Sequence, residues 1–107
     1  MKHLKQYENI NHNPYQDETP KVGDYVIMNS SAYHPIKNFI ENNIGQITEI
    51  AKDPYSSGIL IHYSNIPENI QKYFLNNTRP TSKTLIKHWS SNKEDLEIFI
   101  AQNKYNL

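Results

Sequence analysis

The 107-residue chain contains no cysteine. That excludes a disulfide scaffold, a Cys-ligated zinc or iron–sulfur centre and a thiol nucleophile. Its three glycines, Gly23, Gly45 and Gly58, lie far apart, so neither a dinucleotide fingerprint nor a phosphate-cradling loop can be assembled. Net charge is missing too. Eleven Lys+Arg offset eleven Asp+Glu, which withholds the long-range field of a strongly basic nucleic-acid binder. No apolar run approaches the ~20 residues of a membrane span, and the opening MKHLKQYENI lacks the apolar stretch of a signal peptide. A cytoplasmic protein with no membrane partner is expected. Hydrophobic residues form 36% of the chain, enough for one small core, whereas two cores would leave each half near the ~40-residue floor for autonomous folding.

What is present divides into a polar arm and one domain. Residues 1–20 hold Asn9, Asn11, Asn13, Pro14 and Pro20 and few apolar side chains, too few to offset the entropy of ordering. Leu4, Tyr7 and Ile10 are spaced for a helical turn or two, so the arm reads as a frayed terminus or, alternatively, a docking or sorting peptide. Residues 21–107 read as an α+β domain. VGDYVIM, with a turn-forming Gly-Asp and Tyr25, Val26 and Ile27, is the first strand. Pro35 suits the first turn of a short helix carrying Ile36, Phe39 and Ile40 and ending near Asn42-Asn43.

IGQITEIA is ambiguous. Ile44, Ile47 and Ile50 extend the helical spacing from Ile36, and one long helix through Ala51 is a rival. Gly45 would cost that helix about 1 kcal/mol relative to Ala, and isoleucine and threonine fit a strand better, so a strand with a bulge at Gly45 is the reading adopted. ILIHY, after the turn Asp53–Gly58, alternates cleanly as a strand. Asn65 is placed as the cap of a helix opening at Pro67, with Ile70, Tyr73 and Phe74 on its apolar face. Residues 76–82 are polar, contain Pro80 and read as a loop, and KTLIKHWS as a closing edge strand. Ser91 and Glu94 have capping-box spacing ahead of Leu96, Phe99 and Ile100, which defines a C-terminal helix over about 91–103.

No catalytic constellation emerges. His3, His12, His34, His62 and His88 are scattered, and no two share the i, i+4 spacing of a metal-binding helix. Neither a metal nor a cofactor is expected. His62 reads as a side chain on the polar face of a sheet, and a hydrolase centred on His62 or His88 ranks last among the functional readings. The serine pairs lack the strand-turn-helix setting of a nucleophile elbow, and neighbouring carboxylates such as Glu94-Asp95 point apart.

Binding has better raw material. Eight tyrosines stand against three phenylalanines, and a ring with a polar tip suits protein interfaces. Tyr25, Tyr55, Tyr63 and Tyr73 are the candidate protein-binding residues, although Tyr25, Tyr63 and Tyr73 could equally cover a thin core. Arg79, Lys83, Lys87, His88 and Lys93 gather around Trp89, a combination that stacks bases and neutralises phosphates. From Arg79 onward, however, five Lys/Arg face three Asp/Glu, a surplus of two that supplies few phosphate contacts. The same Trp89 reads better as a core plug between the last strand and the last helix, because it offers the largest single area to bury.

Two resemblances follow. The Gly-Asp-aromatic-Val opening strand, the later Gly within an Ile-rich strand and the short closing strand, over about Lys21–Ser90, resemble the small SH3-like barrels of the KOW and Tudor kind. That likeness implies a partly open barrel with short inserted helices. The stretches NNIGQITEI, YSNIPENI and IKHWSSNKEDLE, with an N-terminus of the MKxLKxYE type, resemble small uncharacterised proteins of large tailed phages. In some such viruses a similar peptide directs proteins into the capsid, although no cleavage signal follows it here. The expectation is a noncatalytic viral accessory module that binds a phage or host protein in the host cytoplasm or the virion, with inhibition of a host defence as one form. The alternative is a single-stranded RNA or DNA binder using Trp89 and the 79–93 stretch.

Overall fold

A computed structural model describes residues 19–53 and 55–105, with side chains through residue 102. The arm expected over residues 1–20, with its sorting-peptide alternative, lies almost wholly outside the described residues. The described residues open on a turn in which Gly23 takes φ +97°, a conformation that favours glycine. The Lys21 N–H donates to the Asp24 carboxylate at 2.9 Å, which satisfies a buried acid, and the Asp24 N–H donates to the Lys21 carbonyl at 2.9 Å. Strand β1 (Tyr25–Met28) leaves this turn.

Helix α1 (His34–Asn42) carries Pro35 in its first turn, where no N–H is needed, and buries Ile36, Phe39 and Ile40. Asn42 and Asn43 end it by donating their side-chain amides to the Asn38 and Phe39 carbonyls at 2.7 and 2.8 Å. Strand β2 (Gly45–Ile50) begins immediately, so the long-helix rival is excluded. The expected bulge at Gly45 is corrected. The register shift lies between Ile47 and Glu49, and Gly45 is required for a different reason. A Cβ there would collide with the Ile61 methyl and come within 2.9 Å of the Tyr63 ring.

Strand β3 (Gly58–His62) alternates as expected, burying Ile59 and Ile61. Asn65 does not cap a helix. It adopts φ +56°, a turn conformation that Asn tolerates, and the segment it introduces is a 3₁₀ helix (Glu68–Tyr73) entered through Pro67. Residues 76–82 are corrected from loop to strand β4 (Thr78–Ser82). Asn76 and Asn77 both take positive φ, and Leu75 and Thr78 exchange backbone hydrogen bonds of 2.9 Å around them, so the two asparagines make a tight hairpin. Hydrogen bonds from the Tyr63 N–H to Asn77 and from the Lys83 N–H to Ser57 flank the β3–β4 pairing. In that register Pro80, opposite Leu60, points its missing N–H away from β3, as an edge strand requires.

A second 3₁₀ turn (Lys83–Leu85) leads into β5 (Ile86–Ser90), and α2 (Lys93–Tyr105) ends the described chain. The cap of α2 is shifted by one residue from the expected Ser91. The Asn92 Oδ1 accepts the Glu94 N–H at 3.0 Å, while the Ser90 hydroxyl accepts the Asn92 N–H and donates to Asp95 at 2.7 Å.

The five strands form one antiparallel sheet in the order β4-β3-β2-β1-β5: a meander whose last strand returns to pair with the first. β5 is an edge, as the sequence indicates. Val26, Met28, Ile47, Ile59, Ile61, Ile86 and Trp89 pack with α1 on one side. A ring cluster of Phe39, Tyr63 and Phe74, with centroids 5.6–5.9 Å apart in edge contacts, closes it. On the other side Ile27 and His88 pair across β1 and β5, α2 packs against both strands, and the Phe99 ring lies 4.2 Å from the imidazole. Burial on both faces explains the unbroken VIM run of β1, where a one-sided sheet would alternate. No helix among the described residues is long and apolar enough to cross a membrane.

Candidate binding site

The loop after β1 and the strand β4 form the two banks of a groove enclosing about 280 Å³. It is backed by the buried Met28, Ile40 and Ile61, and its floor presents Ala32, Leu85 and Pro80 as apolar contact. Its rim is polar, with Ser30, Ser31, Thr81, Ser82 and Arg79. β1 and β4 are separated by two strands in the sheet order, so their meeting at one groove reflects the curl of the sheet.

Both banks are fastened by hydrogen bonds. The Asn29 N–H donates to the Leu85 carbonyl at 2.8 Å, and the Ser30 N–H to the Glu41 carboxylate at 3.1 Å. Lys37 bonds the same carboxylate at 2.7 Å and the Ser30 carbonyl at 3.0 Å. That hydrogen-bonded ammonium holds the Glu41 carboxyl below its ordinary pKa. Across the groove the Ser82 hydroxyl is shared with those of Ser57 and Thr84, each at 2.8 Å.

An aromatic pair stands near the Arg79 end. The Tyr33 and Tyr73 rings meet edge to face at 5.5 Å while remaining 53% and 38% exposed. Such rings ordinarily bury their area, so an exposed interacting pair is a candidate contact surface. Arg79 donates Nη1 to the Tyr73 carbonyl at 3.3 Å and lies 5.9 Å from the Phe74 ring, and the Lys72 ammonium is 5.4 Å from the Tyr73 ring. Interaction with the Tyr73 side chain raises the Tyr33 phenol above its ordinary pKa, and the Arg79 charge opposes the rise.

Of the four sequence candidates for protein binding, Tyr73 belongs to this surface. Tyr55 is almost wholly exposed at the β2–β3 turn, apart from it. Tyr25 is half-buried on β1 and lines a shallow groove with Lys93, Glu94 and Glu97. Tyr63, only 2% exposed, is a core ring that backs the groove, which is the thin-core alternative and not the protein-binding one. Tyr33 was missed: its partner lies far along the chain, and no local pattern marks the pair.

Burial pushes the Tyr63 phenol well above its ordinary value near 10. The folded state therefore holds this proton more tightly than the unfolded state. Its contribution to stability is full below pH ~10 and declines as the pH climbs beyond it. In a titration followed by tyrosinate absorbance, one tyrosine should fail to ionise until the chain unfolds in base, and Tyr63→Phe should abolish that delayed step.

The basic stretch does not gather into one patch. Arg79 faces the groove, Lys83 sits half-buried on the second 3₁₀ turn, and the exposed Lys87 acts electrostatically on Glu41. Lys93 opens α2, and His88 is buried against Phe99. Trp89 is 6% exposed within the core, which removes it as a platform for bases. Neither His62 nor His88 lines the groove, and among the described residues no cluster of three His, Asp or Glu could hold a metal. No protein-family model matches the chain, and no curated protein or solved structure is similar enough to count as a match.

Proposed function

We propose that the protein is a noncatalytic interaction module of the kind small phage proteins supply, binding a phage or host protein in the host cytoplasm or the virion. The scaffold for this reading is an SH3-like, partly open barrel. It is supported by the meander order, by the 3₁₀ turn directly before the returning strand, and by the curl that brings β1 and β4 to one groove. The observation that carries the functional reading is the exposed Tyr33–Tyr73 pair, flanked by Arg79 and Lys72 at the edge of that groove. Inhibition of a host defence protein is one form this binding takes.

Affinity capture from a host lysate, followed by mass spectrometry, tests it. The wild-type chain should retain a discrete protein at micromolar concentration, and the Tyr33→Ser/Tyr73→Ser double variant should lose it. Both side chains are exposed, so the variant should keep a wild-type circular dichroism spectrum. Equal retention by the two chains, or none by either, would count against the reading.

A further inference from the structure

The charge around the groove departs from the neutrality of the chain. None of its lining residues is a carboxylate, and Arg79 is among them. Lys72 stands 5.4 Å from the ring of Tyr73, whose carbonyl Arg79 bonds. Glu41, the acid that touches the loop bank, bonds both Lys37 and the Ser30 N–H, so its charge is matched within the fold. Arg79 spends one bond, a long one of 3.3 Å, on the Tyr73 carbonyl, and a guanidinium has five donors in a planar fork. Beneath this cationic rim the groove is backed by the buried Met28, Ile40 and Ile61, and its floor presents the partly buried Ala32 and Leu85 and the exposed Pro80 as apolar contact.

We infer that the groove receives an extended acidic peptide, with an aliphatic side chain seated on the apolar floor and a neighbouring Asp or Glu carboxylate on Arg79. This rests on the interaction-module reading and names the chemistry of the partner. Charge complementarity selects the carboxylate, since a cationic rim with no acid in the lining repels a basic segment and leaves a neutral one without a match. Volume selects the anchor: about 280 Å³ accommodates one aliphatic side chain together with the adjoining backbone. The hydrogen-bonded banks carry little ordering cost on binding, because the loop is already held by Leu85, Glu41 and Lys37.

The test titrates the full ¹⁵N-labelled chain with synthetic nine-residue peptides and follows its amide resonances. The first peptide carries one leucine flanked by glutamates, the second replaces the glutamates by lysines, and the third replaces the leucine by serine. A short oligothymidine is the fourth probe. The acidic leucine peptide should shift the resonances of Met28–Ala32 and Arg79–Leu85, and the two altered peptides should bind at least about tenfold more weakly. Arg79→Gln should lose about the same factor, while Arg79→Lys, which keeps the charge without the fork, should lose less. Dispersed spectra of both variants separate loss of binding from loss of folding. No shift at millimolar acidic peptide, or equal shifts with the lysine peptide, would overturn the inference. So would tighter binding of the oligothymidine at the same residues, which would assign the groove to phosphate. If lysate capture still depends on Tyr33 and Tyr73 when these peptides fail, the interaction-module reading stands and only the acidic partner falls.

Discussion

Substituting alanine for Gly45 is expected to destabilise the fold by about 3 kcal/mol, although the change adds a single methyl group. Two effects compete. Alanine narrows the unfolded ensemble, which would stabilise the protein by about 0.4–1 kcal/mol wherever the native backbone accepts it. Backbone strain is no obstacle, since Gly45 is not among the residues with positive φ. Sterics decide the sign. The new Cβ would meet the Ile61 methyl and lie 2.9 Å from the Tyr63 ring, and both side chains are buried at 2% exposure or less. Ile61 is branched at the carbon bearing that methyl, and Tyr63 is wedged between Phe39 and Phe74, so neither swings aside without moving the core. Gly58→Ala is the control: its Cβ would find only Ser56 Oγ at 3.4 Å and Ala51 Cβ at 4.0 Å, and it should fall within about 1 kcal/mol of wild type. Urea unfolding of the three chains gives the comparison directly. A Gly45→Ala midpoint equal to that of wild type would mean that β3 yields at this crossing.

The second large effect belongs to Trp89. Its ring is 6% exposed, and Val26, its partner across β1 and β5, is fully buried. Truncation to alanine should cost about 3–5 kcal/mol, the range for large aromatic cavities. A domain of this size is stabilised by roughly 5–15 kcal/mol in total, so the variant should lie close to its unfolding threshold at room temperature. Trp89→Phe should recover most of the loss. Thermal unfolding by circular dichroism measures both variants, and the wild-type tryptophan emission should be blue-shifted until the transition. A Trp89→Ala chain as stable as wild type would show that the ring fills no space in the core.

Much of the architecture follows from local pattern. The alternation of Ile59, Ile61 and Tyr63, the Pro35 helix with its Ile36, Phe39 and Ile40 face, and the acidic first turn of α2 each declare an element through neighbouring residues alone. β4 does not. Thr78–Ser82 holds no aliphatic residue and contains a proline, yet it becomes a strand because β3 offers it a ladder and its proline faces outward. The twin asparagines before it were the usable signal: two adjacent residues that tolerate positive φ mark a tight hairpin more firmly than the polar composition marks a loop.

The candidate binding face was the least legible part. Tyr73 was singled out by residue type, but Tyr63, alike in type, proved to be core, and Tyr33 carried no mark at all. Ring type says that a side chain can serve at an interface; exposure depends on what the fold lays over it. Arg79 was grouped by sequence with Lys87, His88 and Trp89, whereas the fold separates them, turning Arg79 to the groove and Trp89 inward.

By itself the sequence determined that the chain carries no thiol chemistry and no glycine-rich nucleotide loop, and that its apolar residues suffice for an α+β domain with a C-terminal helix. Those conclusions need only counts and spacings, which composition and helical or strand periodicity supply. Tertiary structure decided that Gly45 must have no side chain, that β5 returns to β1, and that Tyr33 and Tyr73 share a surface with Arg79. Each of these joins residues distant along the chain, and their proximity is set by sheet register and curl, which no local pattern encodes.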